Sequence, residues 1–122
     1  MHVANGDHQV ADVTTSIMAR TFGARIRQPA LAPGRTLLSN PWWGIEPIPS
    51  FPYDGSAVVW WDAGTPPSPL ENVPNRAGED PHSAPRNEPA ARLQKSEFLK
   101  VGGRVVELCG GGPCFARGHT GP

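Results

Sequence analysis

The chain has neither a long hydrophobic run nor an excess of charge of either sign. No apolar segment approaches the roughly 18 residues that a transmembrane helix needs, so we expect no membrane span. The 11 basic and 11 acidic residues cancel. Because a nucleic-acid-binding protein should show a basic stripe, we expect no nucleic-acid partner.

Residues 1–10 lack a basic region followed by an apolar stretch, so we predict no signal peptide in this chain. Any secretion signal would have to be encoded upstream.

Cysteine is scarce, whereas glycine and proline are abundant. The 14 glycines and 15 prolines approach the composition of irregular chain, which predicts a few ordered elements joined by long loops. Six prolines in residues 28–54 exclude a regular element of useful length there. The two cysteines, Cys109 and Cys114, flank Gly110-Gly111-Gly112-Pro113. This spacing favours a small disulfide loop, and hence an oxidising compartment, over free thiols or half of a zinc site.

Strand and helix patterns alternate along the chain. The apolar run in residues 56–62, bounded by Gly55 and Gly64, is typical of a strand buried on both faces. An apolar stripe in residues 10–22 indicates a helix that ends at Gly23. The remaining predicted elements are the end of a strand in residues 1–6, a helix over residues 88–100 with Asn87 as its N-cap, and a short strand over residues 104–109. The order predicts an α/β fold with a parallel sheet.

Two full strands cannot close such a sheet, so the chain is interpreted as an incomplete unit. Residues 1–109 are predicted to be the C-terminal part of a larger α/β domain, and residues 110–122 a glycine-rich tail with the disulfide loop. Met1 stands where the body of the first strand is expected, which suggests a truncated gene model or an internal start.

Two side chains follow predicted strands and could carry chemistry. Asp7 lies between the first strand and the first helix, where α/β sheets place catalytic groups, although it could simply cap the helix. His82 lies in the loop after the buried strand and could act as a general base if a carboxylate orients it. The alternative is a solvated loop histidine. The chain order of acid and then histidine is that of α/β-hydrolases.

A nucleophile is missing. The nucleophile elbow has the pattern Gly-x-Ser-x-Gly, and no serine in the chain has glycine on both sides at that spacing. His2, Asp7 and His8 form a possible metal cluster, but their spacing fits no ligand motif. The glycines at 110–112 lead into no helix, so they do not form a phosphate-binding loop. We therefore expect neither a metal nor a cofactor.

Several segments together resemble the C-terminal end of a bacterial domain-of-unknown-function family with a tannase- or esterase-like α/β-hydrolase core. They are residues 2–10 (HVANGDHQV), 19–25 (ARTFGAR), 62–67 (DAGTPP), 78–82 (GEDPH), 94–99 (QKSEFL) and 109–114 (CGGGPC). The resemblance covers nearly the whole chain, as the last quarter or so of a longer protein.

The resemblance implies a secreted serine hydrolase, extracellular or periplasmic, that acts on a small-molecule ester or a related acyl bond. Asp7 matches the acid position and His82 the base, while the nucleophile elbow and the oxyanion hole are absent. By this interpretation the chain alone is inactive. The alternatives are a non-enzymatic secreted interaction module and a truncated reading frame without function.

Overall fold

The computed structural model describes residues 1–121, and Pro122 lies outside the described residues. The protein is a small α/β unit built on one parallel sheet. Its elements, in chain order, are β1 (His2–Ala4), α1 (Asp12–Phe22), β2 (Arg25–Ile26), β3 (Ala57–Asp62), α2 (Ala84–Asn87), α3 (Pro89–Leu99) and β4 (Cys114–Phe115). Among these elements, no helix is long and apolar enough to cross a membrane.

The central strand of the sheet is β3, which pairs in parallel with each of the other three strands. Val3 of β1 lies opposite Trp60, Ile26 of β2 opposite Val58, and Cys114 of β4 opposite Trp61. The α/β class and the parallel sheet are therefore confirmed. No other strand of the described chain pairs with the outer edge of β1.

Every residue of β3 is buried, as its apolar run predicts. Side chains alternate across a strand, so β3 supplies two separate cores. Val58 and Trp60 pack on one face with Val3 and Ile26, and Val59 and Trp61 pack on the other with residues that include Ala91. Helices and loops therefore cover the sheet on both faces.

Helix α1 ends where the sequence predicts. Gly23 adopts the left-handed conformation, and its backbone N–H points to the carbonyls of the last helical turn. The apolar stripe does not face the sheet, however. Ile17 and Met18 are about half exposed, while the buried positions of the helix are Ser16 and Ala19. Small side chains allow the helix to approach the sheet closely, and this leaves the larger ones outside.

Helix α3 also leaves its large apolar side chains exposed. Its buried residues are Ala91 and Gln94, whereas Leu93, Phe98 and Leu99 are exposed. The predicted N-cap is wrong. Asn87 is the last residue of α2, and Glu88 precedes α3 without a side-chain capping bond. Pro89 at the first helical position restricts the preceding residue to extended backbone, so the helix starts one residue later than predicted.

The predicted strand over residues 104–109 does not form. Val105 makes only an isolated antiparallel bridge with Tyr53. The N–H groups of Cys109 and Gly111 donate to the side chain of Glu107, and this draws the backbone away from the sheet. The chain then turns and returns as β4, within the segment predicted as a tail.

Candidate active site

Asp7 lies just beyond the carboxyl end of β1, in a tight loop. The backbone N–H of Asn5 still donates to Trp61, and the chain then turns at Gly6, whose φ is 79°. A Cβ at Gly6 would lie 2.7 Å from the carbonyl oxygen of Pro66, so only glycine fits there. The turn brings the carboxylate of Asp7 to a buried position above the edge of the sheet.

The carboxylate of Asp7 is held by the loop that follows it. Its Oδ1 accepts hydrogen bonds from the N–H groups of Gln9 at 2.7 Å and Val10 at 3.1 Å. Helix α1 begins only at Asp12, and its N-cap residue is Ala11. The alternative that Asp7 caps this helix is therefore wrong. The two backbone bonds leave Oδ2 free to orient another group.

His82 lies in the loop between β3 and α2. Its N–H donates to Oδ1 of Asp80 at 2.9 Å, which fixes a local turn before α2. The side chain lies 2.8 Å from Asp7, measured from Nδ1 to Oδ2. The structure thus brings together the two residues that the sequence singles out, although 75 positions separate them.

The partners of the imidazole define its tautomer. A carboxylate only accepts hydrogen bonds and a guanidinium only donates them. Nδ1 of His82 therefore carries the proton toward Asp7, and Nε2 accepts from the guanidinium of Arg86. A neutral imidazole with its Nε2 lone pair directed outward is the form that acts as a general base. In this structure Arg86 occupies the place beside Nε2 that a nucleophile would need.

Asp12 supports the loop from the other side. Its Oδ2 accepts hydrogen bonds from the N–H of Gly6 at 3.0 Å and from the hydroxyl of Ser68 at 2.6 Å. Burial raises the pKa of the Asp12 carboxyl, and these two hydrogen bonds oppose the shift. Sequence reasoning missed this residue, since an acid in the first turn of a helix usually needs no further explanation.

A cavity of about 400 Å³ opens beside the Asp7–His82 pair. Its walls come from β1, β3, α2 and α3. The lining is mainly apolar and includes Val3, Val59 and Phe98. This volume lies at the lower end of the range for small-molecule sites, roughly 300–1,000 Å³. A small ligand placed there would lie directly against the imidazole.

His2 and Gln94 form a second polar pair in the same cavity. The amide nitrogen of Gln94 donates to the carbonyl of Val106 at 2.7 Å, so its Oε1 accepts from Nε2 of His2 at 2.8 Å. Burial lowers the pKa of the His2 imidazole, which is therefore neutral at pH 7. Neither Gln94 nor Arg86 could be singled out from the sequence, because neither belongs to a recognisable motif.

The possible cluster of His2, Asp7 and His8 is not assembled. Nε2 of His8 lies 3.1 Å from the carbonyl oxygen of Ala77, while His2 and Asp7 have the separate partners described above. Within residues 1–121, no group of three histidine, cysteine or acidic side chains could hold a metal ion.

Cys109 and Cys114 form a disulfide, which confirms the predicted pairing, with a Cα–Cα distance of 5.1 Å. The bond closes the turn between Val105 and β4, and Cys114 is fully buried against β3. The disulfide thus anchors β4 at the far side of the sheet from β1.

Comparison with protein-family models, with curated proteins and with solved structures gave no match for this chain.

Proposed function

We propose that Asp7 and His82 are the acid and the base of a serine hydrolase that cleaves an ester or a related acyl bond. The observation that carries the proposal is the 2.8 Å contact between Oδ2 of Asp7 and Nδ1 of His82. Histidine on a surface loop usually has no buried carboxylate partner, whereas catalytic histidines are oriented by one.

The placement of the pair in the fold supports this function. The two residues follow the carboxyl ends of β1 and β3, which are neighbouring parallel strands. Open α/β sheets bind their ligands at this edge. The adjoining cavity provides room for a small ester on the imidazole side of the pair.

In the proposed reaction, Asp7 holds the ring of His82 and stabilises its positive charge. Nε2 takes the proton of a serine hydroxyl as the serine oxygen attacks the carbonyl carbon of the ester. The same nitrogen then gives this proton to the departing alcohol oxygen, leaving an acyl-serine. Water then gives a proton to Nε2 as its oxygen attacks the acyl carbon. Nε2 returns this proton to the serine oxygen as the bond between that oxygen and the acyl carbon breaks, which releases the acid and restores the serine.

The serine would come from a polypeptide segment outside this chain. The sequence contains no Gly-x-Ser-x-Gly elbow, and Arg86 lies against Nε2. The unpaired outer edge of β1 is where a further strand of the sheet could add, bringing the elbow toward His82. Arg86 would have to move aside when that segment or a substrate binds.

Two measurements test the acid–base pair. Nitrogen NMR of the His82 ring should report a neutral, Nδ1-protonated tautomer at pH 8, both in the wild type and in Arg86→Gln. In the Arg86→Gln background, where the guanidinium no longer donates to Nε2, Asp7→Ala should convert it to a mixture of tautomers. The purified chain should not hydrolyse a nitrophenyl ester. Serine-dependent turnover by the chain alone, inhibited by an organophosphate, would refute the assignment of an external nucleophile.

The DNA immediately upstream gives a second test. We expect an in-frame continuation that encodes Gly-x-Ser-x-Gly, and its co-expression with this chain should restore ester hydrolysis. His82→Gln should reduce that activity at least about a hundredfold, which is the lower end of the range expected for loss of a general base. A stop codon without hydrolase-like sequence before it would contradict the proposal.

The disulfide favours an extracellular or periplasmic location for the complete protein, since such bonds persist in oxidising compartments. The exposed apolar side chains favour a second candidate function, a secreted interaction module. Phe22 on α1 is 64% exposed, Trp43 in the proline-rich loop (residues 28–54) is 71% exposed, and Leu99 on α3 is 72% exposed. Cooperative unfolding of a monomer, with a dispersed NMR spectrum, would favour this module over a hydrolase fragment.

A further inference from the structure

Two positively charged side chains line the cavity beside the Asp7–His82 pair. Arg86 lies on α2 and Lys95 on α3. Neither forms a salt bridge with any part of the chain that the structure describes. The guanidinium of Arg86 instead meets the neutral imidazole of His82, a weak partner for a cation.

Only one carboxylate, Asp7, lines this cavity within residues 1–121, and it already accepts three hydrogen bonds. It accepts from the backbone at Gln9 and Val10 and from the ring of His82. Asp7 forms its salt bridge with His82 and none with Arg86. Arg86 and Lys95 alone outnumber the one carboxylate, so the cavity carries an excess positive charge. The α-amino group of Met1, whose pKa is lowered by burial, also lies in the lining and donates to the carbonyl of Ala57.

His2 does not add to this charge, because its imidazole is neutral. Burial lowers the pKa of His2 against the hydrogen bond with Gln94, and the nearby ammonium groups of the Met1 N-terminus and of Lys95 lower it further. Lys95 is itself one of the lining residues. Among the side chains that line the cavity, the positive charge thus resides on Arg86 and Lys95.

The remaining lining is chiefly apolar, with Val10, Val59, Phe98 and Val105 among its residues. The volume of about 400 Å³ equals that of roughly a dozen water molecules, at about 30 Å³ each. A ligand that matches this site has an apolar body of about that many non-hydrogen atoms and one negative group.

We infer that the cavity binds a small apolar carboxylate, with Arg86 pairing with the carboxylate group and Lys95 adding electrostatic attraction. Guanidinium pairs with carboxylate through two parallel hydrogen bonds, which its contact with His82 does not offer. The ligand would therefore draw Arg86 away from Nε2 of His82. Resting on the proposed function, this inference gives the substrate class: an ester that carries a separate free carboxylate and that unblocks the base as it binds.

The test compares two probes of nearly equal shape, phenylacetate and phenylacetamide, titrated into the labelled full chain. Phenylacetate should bind at least about tenfold more tightly, since a hydrogen bond to a charged group contributes at least about 1.5 kcal/mol. It should also shift the Nε2 resonance of His82 as Arg86 leaves. This comparison uses the unaltered protein and does not depend on the folding of a variant.

A matched pair of variants locates the anion site. Arg86→Gln should weaken phenylacetate binding about tenfold, for the same reason. Arg92→Gln removes an equal charge from an exposed position on α3 outside the cavity and should leave binding unchanged. Equal binding of the two probes, no binding of phenylacetate, or an equal loss in both variants would overturn the inference.

The outcomes separate this inference from the hydrolase proposal. If phenylacetate fails to bind while Asp7→Ala alters the His82 tautomer in the Arg86→Gln background, the carboxylate site is wrong and the acid–base pair stands. If phenylacetate binds as expected but Asp7→Ala leaves the tautomer unchanged in that background, the hydrolase proposal fails and the carboxylate site stands.

Discussion

Removing the carboxylate of Asp62 should destabilise the protein more than any surface substitution. Asp62 ends β3 and is completely buried, where both of its oxygens accept from Arg35, at 2.7 and 2.8 Å. Its Oδ1 also accepts from the N–H of Gly64 at 2.9 Å. Arg35 comes from the proline-rich loop, so this ion pair fastens that loop to the end of the central strand.

The expected magnitude follows from the burial of the pair. Asp62→Ala leaves the guanidinium of Arg35, 13% exposed, without its counter-ion. Breaking a buried pair in this way costs about 3–5 kcal/mol, out of the roughly 5–15 kcal/mol that stabilise a typical small domain. With urea m-values of about 1–3 kcal/mol/M, a loss of 3 kcal/mol lowers the midpoint by about 1–3 M.

Urea unfolding followed by tryptophan fluorescence measures this change, because Trp60 and Trp61 are buried next to the pair. The control is Glu79→Ala, which breaks an ion pair between Arg117 and a carboxylate that is 83% exposed. This control should leave the midpoint nearly unchanged, since exposed pairs contribute little. The double variant Arg35→Met, Asp62→Leu should recover much of the loss. A midpoint shift as small as that of the control would refute the reasoning.

Three further predictions concern the loops and the cavity. Gly6→Ala should lower the free energy of unfolding by about 1–3 kcal/mol, because of backbone strain and the clash with Pro66. The control is Gly23→Ala, whose Cβ meets nothing within 4 Å and which should cost less. Urea midpoints of the two variants measure the difference. The folded-state pKa of His2 is lowered, so its contribution to stability is complete above the unfolded pKa of about 6.5 and falls below it. His2→Gln should therefore flatten the decline in midpoint between pH 7.5 and 5, and an unchanged decline would contradict this. The pKa of Asp12 is raised above its unfolded value, so protonation occurs first in the folded state and stabilises it. The stability of the wild type relative to Asp12→Asn should therefore increase as the pH is lowered from 7 to 4. A constant difference in midpoint over this range would contradict the prediction.

The parts of the fold that the sequence predicts have a strong local cause. The apolar run of β3 and the stop at Gly23 each depend on a few adjacent residues. Strands β2 and β4 have only two residues each and depend on pairing with β3, so no periodicity could reveal them. The sequence also did not predict which side of each helix is buried, because the large apolar residues of α1 and α3 point away from the core.

Some residues of the candidate site could be expected from the sequence and others could not. The contact between Asp7 and His82 could be expected, since each follows a strand and their order matches a known pattern, and their catalytic role stays a prediction. Arg86 could not, because its position depends on how α2 packs beside the loop of His82. The metal cluster was suggested only by closeness in sequence, and the loop after Asp7 sends the side chain of His8 elsewhere.

The position of β3 in the chain has a consequence for folding kinetics. Trp61 pairs with Ala4 near the start of the described chain and with Cys114 near its end, so the sheet joins segments that are more than a hundred residues apart. Pairing between distant segments requires closure of long loops before it contributes stability, and such proteins fold slowly. During synthesis, β3 would emerge with the end of one edge, at Trp61 and Asp62, still open until β4 leaves the ribosome. A chain shortened before Cys114 should therefore expose that edge and aggregate instead of forming a smaller stable unit.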